Sequence, residues 1–342
     1  MDAKIFLARA LNQQFPHISR VFVRFVKHWL HERLVTSVKI YPFGRTMHKL
    51  IGLTFLIAVT FGCKPLQVNN LQDRLQPSND RDWNVDMSML PTAEVVGRHI
   101  VLKNVRDCIY ATEQDFVIRY FDKSFDLDQI QSVDFILVPF KNPMIAHTML
   151  SFELDNGDYI SVSAEIRTEK AEKYSPMLGI SNQFELIYVV ATERDLIRLR
   201  THHRDADVYI YPTVATPEQS QALFMSILER INGLQQTPEF YHTFKNNCTT
   251  NIYEHVTQLQ REQSIVNVLQ YNWQILLPGF TDRLAYDQGL LRTNVSFLET
   301  KRLALVNDLA HIHYDDPHFS QKIRSRQQAM LGLDSADEIM IR

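Results

Sequence analysis

The chain has 342 residues, of which 45% are hydrophobic and 22% are charged, a composition typical of a globular protein that buries a core. The formal net charge of −3 is distributed unevenly, because residues 1–49 carry a net +7 and the remaining residues carry −10. Nucleic-acid binding needs a basic surface that displaces counterions, so the acidic body excludes a nucleic-acid partner.

An uncharged run from Leu50 to Cys63 follows the basic N-terminal segment. It is shorter than the about 20 residues that cross a bilayer, but it suits the apolar region of a signal peptide, which has roughly 7–15 residues. Gly62 directly before Cys63 resembles a lipobox, the site at which bacteria lipidate a cysteine, although Thr60 and Phe61 depart from that pattern. Residues 1–63 are therefore predicted to be a basic N-terminus with a signal peptide or anchor.

Two interpretations of this segment stay open. In one, Cys63 is lipidated, and residues 1–46 precede a true start at Met47. In the other, the basic residues form a cytosolic tail ahead of a short signal anchor, as the positive-inside rule favours. Both predict a bacterial periplasmic protein that is anchored to the membrane surface through its N-terminus.

Residues 64–90 are rich in Asn, Gln and Asp and predict a polar tether.

Beyond residue 90 the pattern of hydrophobic residues predicts strands, then helices. The predicted strands are 99–110, 133–139, 147–154, 158–167, 184–191 and 208–212, and the predicted helices are a short one over 192–200, one from Pro217 to a stop at Gly233, and one from Cys248 to about residue 263. We assign residues 91–295 to one domain and residues 296–342 to a polar helical extension. The fold class is α+β, an antiparallel sheet packed against helices.

The sequence contains no metal-type Cys/His spacing and no cofactor-binding motif, so no cofactor is expected. The candidate nucleophile is Cys248. It stands at the predicted first turn of a helix, after Asn246 and Asn247, which could cap it. Unpaired N–H groups and the helix dipole stabilise a thiolate at such a position. The same N–H groups could hold the oxyanion of a tetrahedral intermediate, with Asn247 and Tyr241 as additional candidate donors. The alternative is a structural cysteine in a disulfide with Cys108.

The hairpin over 147–167 supplies the candidate base. A three-residue loop Asp155–Gly157, with Gly157 left-handed, pairs Leu150 with Val162 and Phe152 with Ile160, so that the apolar faces agree. The same register places His147 opposite Glu165, where a carboxylate fixes the imidazole tautomer and stabilises the imidazolium. The predicted catalytic residues are thus Cys248, His147 and Glu165. Glu165 could equally pair with Arg167 or with another arginine.

Several motifs together resemble the bacterial Lnb N-terminal periplasmic domain family over roughly residues 95–295. They are His147-Thr-x-x-Ser151-Phe152, Ser163-x-Glu165-x-Arg167, Glu193-Arg194-Asp195 with Arg198 and Arg200, Tyr241 with Asn246-Asn247-Cys248-Thr-Thr, and Trp273 with Leu277-Pro-Gly279. The resemblance implies a permuted papain-like, NlpC-like arrangement in which the His strand precedes the Cys helix. It also implies that Cys248 carries the acyl group and that His147 is the acid and base. Arg167 is a further candidate for a residue that supports the site, beside Asn247 and Tyr241.

The named member of this family is a lipoprotein N-acyltransferase, so the resemblance implies a Cys–His acyltransferase or hydrolase that forms a thioester on a lipid or lipoprotein substrate. The membrane-spanning helices that follow the periplasmic domain in that member are replaced here by the polar residues 296–342. Two alternatives remain at this point: a peptidoglycan peptidase or amidase with a peptide substrate, and a non-catalytic lipoprotein with a Cys108–Cys248 disulfide.

Overall fold

The computed structural model describes residues 76–170, 172–173, 176–262, 269 and 272–331. These residues belong to one compact unit, Asp73–Arg342. The predicted signal peptide, Cys63 and residues 64–75 of the predicted tether lie outside the described residues. Across the described ranges, no helix combines the length and the hydropathy that a membrane crossing requires.

The fold is built on an eight-stranded, mostly antiparallel sheet. Its strands run β1–β2–β9–β8–β7–β6–β10 across the sheet, with β5 also paired to β2 and with a single parallel bridge between β2 and β9. A separate two-stranded sheet joins β3 and β4. The strands are β1 Thr92–Val96, β2 His99–Arg106, β3 Ile109–Tyr110, β4 Phe116–Val117, β5 Tyr120–Asp126, β6 Ile130–Pro139, β7 Ala146–Leu154, β8 Tyr159–Arg167, β9 Glu185–Thr192 and β10 Tyr209–Pro212.

The hairpin β7–β8 has the predicted register. Leu150 pairs with Val162 and Phe152 with Ile160, and Gly157 has φ +81° in the three-residue loop. A side chain at Gly157 would be strained at this φ and would also meet Gln321. The ladder between the two strands ends at Leu150–Val162, so the predicted pair of Thr148 with Ala164 is not part of it.

Helices cover both faces of the sheet, which confirms the α+β class. They are α1 Pro176–Ile180, α2 Glu193–Arg198, which continues into a π-helical turn Leu199–His203, α3 Pro217–Gln236, α4 Cys248–Glu262, α5 Trp273–Leu276, α6 Thr281–Asp287, α7 Phe297–Ala304, α8 Asn307–Ile312, α9 Phe319–Lys322 and α10 Gln327–Met330. Short 3-10 turns occupy Val85–Met87, Leu127–Gln129 and Pro278–Phe280. Helix α3 runs three residues past Gly233, because its buried Leu234 contributes to the core and offsets the low helix propensity of glycine.

The side chains of each strand alternate between two hydrophobic cores. Leu150 and Phe152 of β7 face one side, where α3 and α4 pack against them. Met149 faces the other side, where α2 and residues of α8 and α9 pack. The site described below lies where these two sides meet at the end of the β7–β8 ladder.

The predicted tether does not extend to residue 90. Trp83 is buried, and Arg167 binds this segment by donating to the carbonyls of Met87 and Ser88 and to the side-chain oxygen of Asn79. The segment is therefore part of the domain from about Ser78 onward. The polar composition of the segment hid this, because hydrogen bonds from a buried arginine hold it in place beside the apolar contacts of Trp83, Met87 and Leu90.

The C-terminal segment is also an integral part of the domain and not an appended extension. Arg324 is buried and donates to Asp134 Oδ2 at 2.6 Å and to Glu193 Oε2 at 2.8 Å. Phe319 and Ile323 on the same segment are buried in the second core. The sequence of this segment is polar although the segment is buried, because Arg324 forms ion pairs with two buried carboxylates, one on β6 and one on α2.

We expect Arg324→Ala to destabilise the protein strongly, because it leaves Asp134 and Glu193 buried without a counter-charge. The loss in free energy of unfolding is expected to be about 3–5 kcal/mol, measured by denaturant titration. The control is Arg302→Ala, which removes an exposed partner of Glu299 and should leave the free energy of unfolding nearly unchanged. Equal effects of the two substitutions would contradict the integral role of the C-terminal segment.

Candidate functional site

Cys248 is the first residue of α4, as predicted, and Asn247 caps the helix. The Oδ1 atom of Asn247 accepts from the Thr250 N–H at 2.9 Å, and the Thr250 hydroxyl accepts from the Asn247 N–H at 2.8 Å. This reciprocal pair fixes where the helix begins. It therefore holds the Cys248 side chain at the end of the helix where the dipole favours an anion.

The Cys248 thiol contacts β7 beyond the end of the β7–β8 ladder. Thr249 and Thr148 hydroxyls lie 3.1 Å apart and join the helix to the strand. Burial raises the pKa of the Cys248 thiol, but the charge of His147 and hydrogen bonds with His147 and Thr148 outweigh burial and bring it down to about 7. The surroundings of this buried thiol therefore favour its thiolate form relative to an ordinary cysteine.

His147 is held by a hydrogen-bonded chain that includes Ser163. The Nε2 atom of His147 lies 2.6 Å from the Ser163 hydroxyl, and that hydroxyl donates to Glu165 Oε1 at 2.9 Å. Because the Ser163 hydrogen is directed at Glu165, Ser163 accepts from an Nε2–H group of His147. This arrangement leaves Nδ1 unprotonated in the neutral imidazole.

Glu165 lies 3.6 Å from His147 Nε2, so the predicted proximity of the two side chains is confirmed. Its closest cationic partner is Arg200, whose Nη2 donates to Glu165 Oε1 at 2.9 Å. Burial alone would raise the pKa of Glu165, but Arg200 and His147 hold it well below its usual range. Glu165 is therefore an anion beside the imidazole.

Of the three residues predicted to support the site, Asn247 caps the helix of Cys248, whereas Tyr241 and Arg167 lie elsewhere in the structure. The Asn247 side chain is occupied at both ends, since its Nδ2 donates to the Thr243 carbonyl at 2.6 Å while Oδ1 caps the helix. Tyr241 is buried in the core beneath α3 and α4. The Arg167 guanidinium binds the N-terminal segment and stacks on Trp83, and the cation beside Glu165 is Arg200 instead.

Ser163 and Arg200 are the site residues that the sequence interpretation did not assign. Both lie in the motifs quoted above, but a serine on a strand and an arginine on a short helix have many ordinary roles. The signal that was available for Ser163 is the alternation of the strand, which puts Ser163 and Glu165 on one face. Arg200 could not be found in this way, because its place depends on the π-helical turn after α2.

The predicted alternative of a Cys108–Cys248 disulfide is wrong, because both cysteines are free thiols. Cys108 lies in a separate cluster with Tyr110 and Leu199. Burial and the charge of Asp195 raise the pKa of its thiol to about 12. Of these two thiols, Cys248 is the one whose pKa is lowered.

Residues 118–279 match the family described as the Lnb N-terminal periplasmic domain. This part of the chain belongs to that family. The match covers His147, Ser163, Glu165, Arg200 and Cys248, and ends before the segment that carries Arg324. The Lnb N-terminal domain is periplasmic, so the protein is a periplasmic envelope protein.

Neither the search of curated proteins nor that of solved structures gave a match. The permuted papain-like arrangement stays a prediction.

The lowered pKa predicts the pH dependence of Cys248 alkylation. The rate with iodoacetamide should reach half its maximum near pH 7, as thiolate forms. His147→Ala removes the main group that lowers the pKa, so the midpoint should move to higher pH. Mass spectrometry of the modified peptides separates the cysteines, and Cys108 is an internal control that should stay unmodified. An unchanged midpoint in His147→Ala would contradict the contact between thiol and imidazole.

The chain through Ser163 predicts a second effect on the same measurement. Ser163→Ala should lower the alkylation rate of Cys248 near neutral pH by about tenfold or more, since a hydrogen bond to a charged group contributes roughly 1.5–3 kcal/mol. The matched control is Ser151→Ala, which removes another buried serine that donates to a carboxylate, that of Glu193. The control should leave the Cys248 rate unchanged. Equal losses in both variants would mean that the effect comes from packing alone.

Proposed function

We propose that this domain transfers or hydrolyses acyl groups through a thioester on Cys248. The observation that carries the proposal is the thiol of pKa about 7 at a helix N-terminus beside an imidazole whose other nitrogen is tied to Ser163 and Glu165. A nucleophile, a base and a group that orients the base are the three parts that covalent acyl transfer requires. The two free thiols argue against the alternative in which Cys248 serves in a disulfide.

In the first half-reaction, the Cys248 proton moves to Nδ1 of His147, and the thiolate attacks the carbonyl carbon of the acyl donor. The tetrahedral intermediate collapses as the bond to the leaving oxygen or nitrogen breaks, and the leaving group takes the proton from His147. Glu165 and Arg200 stay charged throughout and stabilise the imidazolium. The product is a thioester on Cys248.

In the second half-reaction, an amine or water loses a proton to His147 and attacks the thioester carbonyl. The carbon–sulfur bond breaks, and Cys248 leaves as the thiolate or takes the proton back. First-turn N–H groups of a helix have no partner within the helix, so those of Cys248 and Thr249 are the proposed oxyanion donors. They replace Asn247 and Tyr241 in that role, since the Asn247 amide is occupied and Tyr241 is in the core.

The proposed substrates are lipids or lipoproteins, as the family resemblance implies. A periplasmic domain meets such substrates at the membrane surface. Anchoring of this chain through Cys63 or a signal anchor concerns residues outside the described part of the structure and stays a prediction.

The acyl-enzyme is the direct test. We expect the protein incubated with phospholipid vesicles to gain the mass of one acyl chain on the peptide that contains Cys248, and to lose it in hydroxylamine. Cys248→Ser should abolish the thioester while the fold is kept, and His147→Ala should slow its formation by a factor of about 10²–10⁴. Cys108→Ser is the control and should acylate normally. Acylation that survives in Cys248→Ser would rule out the proposed nucleophile.

A further inference from the structure

Two neighbouring loops beside the site expose apolar side chains. The first loop, residues 140–145, joins β6 to β7, and the second, residues 272–280, contains α5 and leads into α6. Trp273 is 55% exposed, Phe140 is 50% exposed and Ile145 is 36% exposed. We call these three side chains, together with the partly buried Phe280, the apolar rim.

The two loops contact each other through their backbones. The Phe140 N–H donates to the Ile145 carbonyl at 2.9 Å, and the Gly279 N–H donates to the Met144 carbonyl at 3.1 Å. A Cβ at Gly279 would stand 1.8 Å from the Pro143 carbonyl oxygen, so only glycine allows this close approach of the backbones. The rings of Trp273 and Phe280 are 5.3 Å apart. The rim is thus held in place by backbone contacts.

The apolar rim borders the candidate site. The first loop ends where β7 begins, and His147 is the second residue of β7. Ile145 is two residues before His147, and residues at this spacing in extended chain point to the same side. A molecule that rests on the rim would therefore lie next to the imidazole.

The charge pattern of these loops differs from that of the rest of the protein. Residues 272–280 contain no ionisable side chain, and Lys141 is the ionisable side chain of residues 140–146. Yet 22% of the chain is charged, and residues 50–342 carry a net −10. An exposed Trp with other apolar groups, a lysine and no carboxylate is the pattern of a surface that lies in the interface of a phospholipid bilayer.

The size of the rim favours a bilayer over a second copy of the chain. A stable protein–protein interface buries about 800 Å² on each partner, which needs some 20–30 residues. A membrane contact can be made by a few aromatic anchors, with lipid phosphates attracting the lysine. The apolar rim has four side chains on two short loops, which is enough for a membrane contact and too few for a stable protein–protein interface.

We propose that the apolar rim rests on the bilayer surface, with Trp273 and Phe140 at the level of the lipid headgroups and Lys141 beside a lipid phosphate. This contact does not depend on catalysis. Its consequence for the reaction, that lipid acyl esters reach His147 and Cys248 directly from the bilayer, rests on the proposed function.

The contact can be tested with the full chain in vesicles of phosphatidylethanolamine and phosphatidylglycerol. Brominated phospholipids quench tryptophan emission at the depth of the interface, and the difference between the unmodified protein and Trp273→Phe isolates the emission of Trp273 from that of Trp29 and Trp83. We expect most of this difference to be quenched by the brominated lipids. The control adds Val96→Trp to Trp273→Phe. Val96 is 78% exposed on the edge strand β1, far from β7 in the sheet order, and should not be quenched.

Two results would overturn the proposal. Trp273 emission that resists brominated lipid but is quenched by aqueous acrylamide would place the rim in water. Emission that resists both would place it against protein, such as a second copy. The alkylation rate of Cys248, measured on the same samples, reports on the proposed function separately, so that failure of one inference is distinguishable from failure of the other.

Discussion

The site depends on the register of one hairpin. Gly157 at positive φ allows the three-residue loop, and the loop makes Leu150 face Val162. A shift by one residue would turn Ser163 and Glu165 toward the α3 and α4 side and bring Val162 and Ala164 beside Arg200. It would bury a carboxylate among apolar side chains and leave the buried Arg200 without an anion. The hydrophobic pattern and the charge pattern therefore select the same register.

The interruption of the β7–β8 ladder is as important as its register. Up to Leu150–Val162 the strands are paired, and the sheet separates the two cores. Helix α4 packs on the side of the sheet that Leu150 faces, and Glu165 contacts Arg200 on the other side. Beyond the last pair of the ladder, Cys248 at the start of α4 nevertheless contacts His147. The chain of polar contacts from Arg200 through Glu165 and Ser163 to His147 thus lies where the pairing of β7 with β8 has ended. Continuous pairing would have kept the Cys248 thiol and the His147 imidazole on opposite sides of the sheet.

Sequence reasoning succeeded where the determinants are local. The Asn-Gly loop, the alternation of β7 and β8, and the asparagine before Cys248 each lie within a few residues of what they specify. It failed for Tyr241 and Arg167, since their places depend on which distant segments pack against them. Arg200 and the buried C-terminal Arg324 are also non-local: each is a charge whose partner lies 35 or more residues away. From composition, those charged residues were expected to be exposed to solvent. The sequence does not distinguish an arginine that has a buried carboxylate partner from an arginine on the surface.

The position of Arg324 near the C-terminus has a consequence for how the domain is made. A protein delivered to the periplasm emerges in sequence order, and residues 118–279, which contain the candidate site, precede the Arg324 segment. Until that segment arrives, Asp134 and Glu193 have no counter-charge, and the second core lacks Phe319 and Ile323. The candidate site is then complete in residues but not in its support, because Glu193 lies on the same helix that continues into Arg200. The support of Glu193, and of the helix that leads to Arg200, would therefore be completed only when residues 319–324 pack onto the second core.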